Sequence, residues 1–350
     1  MNDSDSSTPS PASSSGKPTS IQTVIPNAAI PGGELMIRGI SLSGGAERAR
    51  ARFDGITAPV IIGSDAMMIV RVPEGASEGN LELEGAAGEA AWHCDIGIQI
   101  AEKVHPVANP VVDEFGNVYT TLSGSAGQKT PVSIYKLAPG QGPEALTTGI
   151  LNATGLAIDT EGVLYTSSRA EGIVYQISPS GNAVNYVEGM GVATGIVFDR
   201  NNNLYVGDRG GTVFKVSPDR QIYVYATLEP SIAAYHMAFG PDGYLYVTGP
   251  TTSSYDTVNR IDPDGRVEPH FRGLGRPQGL AFDIDGNLYV VGSLAGRRGV
   301  VRIDAERNAE LFLSGSGIVG IAFAPGKSMI VATKNSLFRV RCGVEGRPLP

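Results

Sequence analysis

The chain has 350 residues, 41% of them hydrophobic, and a formal net charge of −8. This length allows two domains, and the acidic balance argues against a general nucleic-acid binder. No stretch approaches the roughly 18 consecutive apolar residues that a membrane-spanning helix needs, so we expect a soluble protein with no membrane association.

The first segment, residues 1–20, consists almost wholly of Ser, Pro, Thr, Asp and Gly. Because such a composition cannot bury a core, it predicts a disordered tail. The segment lacks the basic start and the apolar stretch of a signal peptide. The default compartment is therefore the cytoplasm, and an extracytoplasmic location stays open.

Residues 21–96 alternate short strand-like runs with Gly/Pro turns and show no helical period. This texture predicts a small β-sandwich. Within it, Gly75-Ala-Ser77-Glu-Gly79 matches the pattern of a serine-hydrolase elbow. That elbow requires a strand-to-helix turn, whereas this segment joins two predicted strands, so we do not interpret Ser77 as a nucleophile.

The rest of the chain carries an internal repeat. Its clearest copy, at 278–290, reads Gln-Gly-Leu-Ala-Phe-Asp, a Gly/Asn turn, then Leu-Tyr-Val. Turn-entry positions recur after 46, 40, 41, 43 and 41 residues, at Asp113, Asp159, Asp199, Gly240, Asp283 and Ala324. A period of roughly 40 to 45 residues with four short strands is typical of a β-propeller blade. We therefore predict an all-β chain in which 97–345 forms a six-bladed propeller.

Two residue types recur inside the repeat. A tyrosine follows each of the first five turns, at Tyr119, Tyr165, Tyr205, Tyr246 and Tyr289. We expect these rings to fill the gaps between neighbouring sheets, where one blade alone has no packing partner. The aspartates that open the turns lack the spacing of an EF-hand loop and are expected to cap the turns.

The sixth copy is short of an outer strand, and the segment 97–104 has the register to supply one. We predict that it closes the sixth blade, which protects the open edges. Closure would bring Cys94 and Cys342 to the same face as candidates for a disulfide. Without a signal peptide the compartment is reducing by default, which argues for free thiols.

Two stretches resemble known families. Ile25-Pro-Asn-Ala-Ala-Ile-Pro-Gly-Gly-Glu-Leu-Met-Ile-Arg-Gly39 and Val72-Pro-Glu-Gly-Ala-Ser-Glu-Gly79 resemble the IPT/TIG family of immunoglobulin-like domains. The sixfold region resembles the NHL-repeat and SMP-30/gluconolactonase propellers. These resemblances together cover roughly 320 residues.

Propeller geometry converts repeat position into location. Residues just before each first strand should ring the upper mouth of the central channel: Asn109, Thr154, Thr194, His236, Gln278 and Val319. Loops after the second strands should form a wider ring on the same face, carrying Lys129, Arg169, Arg209, Tyr255, Asp256, Arg297, Arg298 and Lys334. Five of these six loops carry a cation, which predicts an upper-face site for an anionic small molecule such as a sugar acid, carboxylate or phosphate.

The SMP-30/gluconolactonase resemblance implies lactone hydrolysis with a divalent metal at the mouth, held by a Glu, Asn residues and an Asp. This chain has Asn109, Thr154, Thr194 and Gln278 at those positions. Since no mouth residue is a carboxylate, we predict neither a metal site nor a cofactor. His236 is the one titratable mouth residue and the candidate general base.

Two classes of function remain open. The first is a monomeric, non-catalytic propeller that binds an anionic small molecule or a protein partner at its upper face. The second is a divergent lactone hydrolase, and only this alternative calls for a divalent cation such as calcium, magnesium or zinc. Whether the chain is an enzyme is left open, with the binding role favoured.

Overall fold

The computed structural model describes residues 17–43, 50–85, 87–125, 127–253 and 255–350. Every named element in this part of the chain is a β-strand. No helix among the described residues is long and apolar enough to cross a membrane. The all-β prediction is therefore confirmed.

Residues 20–102 form the first eleven strands. Their bounds are β1 Ser20–Ile25, β2 Ala28–Ala29, β3 Glu34–Ile40, β4 Arg50–Phe53, β5 Ile56–Ala58, β6 Val60–Gly63, β7 Met67–Arg71, β8 Asn80–Gly85, β9 Gly88–His93, β10 Asp95–Ile96 and β11 Ile98–Glu102. Eight of them build two four-stranded antiparallel sheets, in the orders β1-β3-β7-β6 and β5-β4-β8-β9. Buried side chains alternate with exposed ones along these strands and meet in one core, which includes Leu35, Phe53, Met68 and Leu81. We call these two sheets the N-terminal sheets.

The described part of the chain begins at residue 17, inside the predicted tail. Residues 1–16 of that tail lie outside the described residues. Thr19, which was assigned to the tail, is buried and donates its hydroxyl hydrogen bond to the Ser41 carbonyl at 3.1 Å. The same hydroxyl accepts the Ala87 N–H, so Thr19 ties the first strand to two turns.

The elbow-like segment at 75–79 joins β7 to β8, two strands, as predicted. Its backbone N–H groups surround one carboxylate: Ser77, Glu78, Gly79 and Asn80 all donate to Asp54. Burial raises the pKa of Asp54, but these four backbone donors outweigh it and leave the pKa below its usual value. The segment is therefore a turn whose backbone binds the Asp54 carboxylate. It is not the strand-to-helix turn that a nucleophilic serine requires at Ser77.

The remaining strands follow the repeat. Their bounds are β12 Val111–Val112, β13 Val118–Thr121, β14 Ile134–Leu137, β15 Glu144–Thr147, β16 Ala153–Ile158, β17 Leu164–Ser168, β18 Ile173–Ile177, β19 Ala183–Val187, β20 Ala193–Phe198, β21 Leu204–Asp208, β22 Thr212–Val216, β23 Ile222–Thr227, β24 His236–Phe239, β25 Leu245–Thr248, β26 Asp256–Ile261, β27 Val267–Leu274, β28 Leu280–Phe282, β29 Leu288–Leu294, β30 Arg297–Ile303, β31 Ala309–Ser314, β32 Ile318–Ala324, β33 Ser328–Thr333 and β34 Ser336–Arg341.

These strands form sheets that we number by their first strands, sheet 1 from β12, sheet 2 from β16, sheet 3 from β20, sheet 4 from β24, sheet 5 from β28 and sheet 6 from β32. Within each sheet, successive strands pair antiparallel. The first strands of neighbouring sheets contact one another in order, and β32 contacts β12. The sheets therefore close into a ring around the first strands.

The recurrent tyrosine and aspartate stabilise this ring. Each of the five turn tyrosines donates its hydroxyl to an aspartate of its own turn, as Tyr289 does to Asp283 at 3.1 Å. In sheets 2 to 5, the aromatic ring of this tyrosine also packs against a phenylalanine of the next sheet. The ring centroids of Tyr289 and Phe323, for example, lie 5.2 Å apart. The predicted packing and capping roles are confirmed, with Asp242 acting in sheet 4 instead of the turn-entry residue Gly240.

Strands from the N-terminal region complete two sheets of the ring. β11 pairs antiparallel with β34, so Ile98–Glu102 is the fourth strand of sheet 6. β2 pairs parallel with β31, and β10 pairs parallel with β2, which extends sheet 5 to six strands. The sequence analysis predicted no strand at β2 or β10. The backbone of β2, β10 and β11, which lie in the same N-terminal region as these two sheets, is thus hydrogen-bonded into the ring.

The candidate disulfide is not present, and both cysteines are free. Cys94 is fully buried in the core of the N-terminal sheets, and Cys342 packs at the edge of the core between sheets 5 and 6. Burial and the neighbouring Asp95 raise the pKa of Cys94 to about 12. Burial and the same carboxylate also raise the pKa of Cys342, so both thiols are in their protonated form.

Candidate functional site

The first strands of neighbouring sheets approach one another closely near the predicted channel mouth. A Cβ added at Gly155 would lie 2.2 Å from the Thr194 carbonyl oxygen, and one at Gly195 would lie 2.3 Å from that of Tyr235. At the junction of sheets 6 and 1, a Cβ on Gly320 would lie 2.6 Å from the Ala108 carbonyl oxygen. Glycine is required here because backbone meets backbone.

Three polar mouth residues serve the backbone of the ring. Thr154 and Thr194 are both 1% exposed, and each donates its hydroxyl to a carbonyl, of Asn152 and of Gly207. Asn109 donates from its amide nitrogen to the Leu280 carbonyl and accepts the Ile321 N–H, both at 3.1 Å. Asn109 thus bonds to sheets 5 and 6, and Thr194 also accepts the Tyr235 N–H from the segment that leads into sheet 4, whereas the Thr154 bond is local.

The other mouth residues differ from one another. Gln278 is half-buried, and its backbone pairs with Val291 and with the Thr248 hydroxyl. Val319 is buried in the core between sheets 6 and 1. His236 is 3% exposed, and its Nδ1 has no hydrogen-bond partner among the described residues. Burial lowers the pKa of His236 to about 4, so the imidazole is neutral near pH 7.

The wider ring of upper loops contains one pair of cations. Arg169 is half-buried and donates from Nη2 to the Gly124 carbonyl at 2.8 Å. Burial, and then the positive charge of nearby Arg209, lowers the pKa of Arg169. Neither guanidinium forms a salt bridge within the part of the chain that is described. Asp208, beside Arg209 in sequence, accepts the Val192 N–H instead.

The remaining predicted cations have other surroundings. Lys129 and Lys334 are exposed on separate loops, and Arg298 is exposed near the start of β30. Arg297 is half-buried and donates to the carbonyls of Ile25 at 2.8 Å and Glu34 at 3.4 Å. Because its guanidinium is bound to the N-terminal sheets, Arg297 helps to join the two parts of the protein and is not a free anion ligand.

Tyr255 and Asp256 lie in a groove that the sequence analysis missed. The groove has a volume of about 310 Å³ and runs between the end of β23 in sheet 3 and the loop and strands of sheet 4. Asp256 is 4% exposed and Tyr255 is 71% exposed. A signal was present, since the run 248–257 contains six Ser or Thr residues, Tyr and Asp. That composition is typical of a polar binding loop as well as of a linker.

The described residues contain no group of three or more His, Cys, Asp or Glu side chains arranged to hold a metal ion.

Comparison with solved structures shows which fold this is. The chain is similar to an auxiliary nutrient binding protein from Bacteroides thetaiotaomicron, with a TM-score of 0.53, 11% identity, and coverage of 92% of this chain and 97% of that one. It is similar to a gluconolactonase from Xanthomonas campestris, with a TM-score of 0.58, 15% identity, and coverage of 73% and 89%. At these identities the likeness concerns the fold alone, and the ring of sheets is a β-propeller.

A third similar structure is a catalytically inactive virginiamycin B lyase from Staphylococcus aureus with quinupristin, with a TM-score of 0.51, 12% identity, and coverage of 94% of this chain and 96% of that one. No family model matches the sequence. No curated protein shows significant sequence similarity to it either.

Proposed function

We propose that this protein is a ligand-binding six-bladed propeller that takes an anionic small molecule at its upper face, between Arg169 and Arg209. In this proposal the N-terminal sheets are an IPT/TIG-like immunoglobulin fold that supports the propeller. The ligand is a sugar acid, another carboxylate or a phosphate, because the guanidinium fork matches these anions through two hydrogen bonds.

The observation that carries the proposal is the pairing of two like charges without a counter-ion. Arg169 is half-buried, is repelled by Arg209, and makes no salt bridge among the described residues. Two cations held close together raise each other's energy, and an anion between them removes that cost. In a protein with a net charge of −8, such a pair is a local exception.

The similarity to a nutrient binding protein over 92% of the chain is consistent with a binding role. A protein partner at the same face is a further form of the proposal. The exposed cations Lys129, Arg298 and Lys334 would then attract an acidic surface.

Isothermal titration calorimetry with gluconate, glucuronate and inorganic phosphate tests the site. We expect at least one of these anions to bind the wild type, and Arg169→Ala/Arg209→Ala to weaken that binding by about tenfold or more, since charge-assisted hydrogen bonds are lost. Binding should also weaken as salt rises.

The matched control is Arg200→Ala/Arg266→Ala, which removes two exposed arginines from turns outside the upper loops. This variant should bind like the wild type. Equal binding by the Arg169/Arg209 variant and the wild type, or no binding of any anion by either, contradicts the proposal.

A divergent lactone hydrolase is the second candidate, and His236 is the observation that favours it. A neutral, buried imidazole with an unpartnered Nδ1 can accept a proton. The similarity to a gluconolactonase provides a substrate class to assay. If this candidate is correct, purified protein hydrolyses gluconolactone faster than buffer, and His236→Gln abolishes the excess rate.

A further inference from the structure

The groove between sheets 3 and 4 has the dimensions and the wall of a second ligand site. Its volume of about 310 Å³ is at the lower end of the range for small-molecule sites. One side is formed by Thr227, the last residue of β23 in sheet 3, and by Leu228 and Glu229, which follow it. The other side is formed by the β25–β26 segment of sheet 4. None of the proposed anion ligands, Arg169 and Arg209, belongs to this wall.

Asp256 is the residue that marks the groove as a built site. Its side chain is 4% exposed and belongs to the groove wall. One carboxylate oxygen, Oδ1, accepts both the N–H of Thr251 at 3.0 Å and the hydroxyl of Thr251 at 2.6 Å. The second oxygen, Oδ2, has no hydrogen-bond partner among the residues that the structure describes. A buried carboxylate oxygen without a donor is costly, so a donor that enters the groove stabilises it.

The rest of the wall defines what the donor is. Glu229 adds a second carboxylate, and the wall contains neither Lys nor Arg among its described residues. Neutral hydroxyl and amide groups supply the other polar contacts, from Thr227, Thr248, Thr251, Ser253, Thr257 and Asn259. Tyr255, which is 71% exposed, presents an aromatic ring at the rim. A wall with two carboxylates and no cationic side chain among its described residues favours a cation over a neutral or anionic ligand.

We propose that this groove binds a small amine that also carries hydroxyl groups. Its ammonium group pairs with the Asp256 carboxylate, with Glu229 adding to the attraction. The threonine, serine and asparagine side chains exchange hydrogen bonds with the ligand's hydroxyls, and the Tyr255 ring stacks over the cation or the ligand's apolar face. Because Asp256 is almost fully buried, a direct hydrogen bond to Oδ2 requires a local adjustment of the groove wall. The groove wall shares no residue with the proposed Arg169–Arg209 site and has the opposite charge preference.

Titration of the full chain with glucosamine, glucose and gluconate tests the proposal, since these probes share a sugar skeleton and differ in charge. We expect wild-type protein to bind glucosamine about tenfold more tightly than glucose, which corresponds to one charge-assisted hydrogen bond. Asp256→Asn should remove this preference, and Glu229→Gln should reduce it severalfold. Asp264→Asn, which neutralises an exposed acid in the β26–β27 turn, is the matched control and should retain it.

The outcomes separate this site from the anion site. Arg169→Ala/Arg209→Ala is expected to lose anion binding and to keep glucosamine binding, so either site can fail without the other. Equal affinity of the wild type for glucosamine and glucose overturns the proposal. So does an unchanged preference in both acidic-site variants. If Asp256→Asn does not fold, as thermal unfolding would reveal, the exposed Glu229→Gln decides the question.

Discussion

Two histidines in this protein show how burial changes the pKa of a side chain. His236 and His270 have the same ordinary pKa, and burial lowers the pKa of each to about 4. In both, Nδ1 has no hydrogen-bond partner within the described part of the chain. A histidine chosen from the sequence as the titratable residue of the mouth is therefore a neutral group at physiological pH, able to accept a proton only at a free-energy cost.

This burial predicts acid-sensitive stability. The folded-state pKa of His236, about 4, lies below its unfolded value of 6.5. The unfolded chain thus binds the proton more tightly, so the contribution to stability is fully present above pH 6.5 and is lost as pH falls toward 4. We expect wild type to lose about 2 kcal/mol through His236 between pH 7.5 and 5, with a further loss through His270.

Urea unfolding at both pH values measures this effect. His236→Gln should show the smaller loss on acidification, while His105→Gln, a change at an exposed histidine, should match wild type. An identical pH response of the His236 variant and the wild type would show that this histidine is not buried in its neutral form.

At the scale of elements, the ring depends on close approach at its centre and on aromatic packing farther out. The tyrosines meet the phenylalanines of the next sheet at centroid distances of 4.7 to 5.2 Å. The first strands meet through glycines, so backbone contacts backbone. The glycine recurs in four of the six repeats, at Gly155, Gly195, Gly279 and Gly320, and the phenylalanine in the last four, because each sheet must bury its face against its neighbours.

The closure between sheets 6 and 1 provides a test of this packing. In Gly320→Ala the new methyl would lie 2.6 Å from the Ala108 carbonyl oxygen and 2.7 Å from the Asn109 Cα, so the strands must separate. We expect a loss of about 1–3 kcal/mol, as for other overpacked sites. Gly142→Ala, where a Cβ meets no atom within 4 Å, is the control for the change in glycine content. Equal melting temperatures for the two variants would contradict a tight closure.

At the scale of the whole molecule, the N-terminal sheets and the propeller share hydrogen bonds and core. β2 lies against β31, Arg297 donates to Ile25 and Glu34, and Ser314 pairs with both Ile30 and Glu34. Ile30, 1% exposed, packs in the core between sheets 5 and 6. The two parts should therefore unfold together.

Ile30→Ala tests this coupling. The change leaves a cavity where the N-terminal segment enters the propeller, and we expect a loss of about 2–5 kcal/mol. Trp92 is the single tryptophan and lies in the N-terminal sheets, so its fluorescence follows that part while circular dichroism follows the whole chain. Both transitions should coincide in wild type and shift in the variant. Ile61→Ala, at a side chain 44% exposed on β6, is the control. A circular-dichroism transition that does not move would show that the propeller unfolds independently.

Much of the architecture could be predicted from the sequence because it is local and repeated. The turn aspartates and the following tyrosines are four to six residues apart and recur from sheet to sheet, so their roles follow from their spacing. The missing outer strand of the last repeat was also visible as a gap in that pattern. Such features need no knowledge of distant neighbours.

The site could be predicted only in outline, since its chemistry depends on partners that are far apart in the chain. The cations of the upper loops were evident from the sequence, but their partners were not. Arg297 is bound to Ile25, 272 residues away. Arg169 and Arg209 lie near each other, and neither forms a salt bridge among the described residues. A two-residue strand such as β2 is too short to show a sequence pattern. It is a strand because its backbone pairs with the edge strand β31. The groove beside Asp256 is lined by residues of sheets 3 and 4, so a loop rich in threonine and serine forms a candidate site only after the two sheets pack side by side.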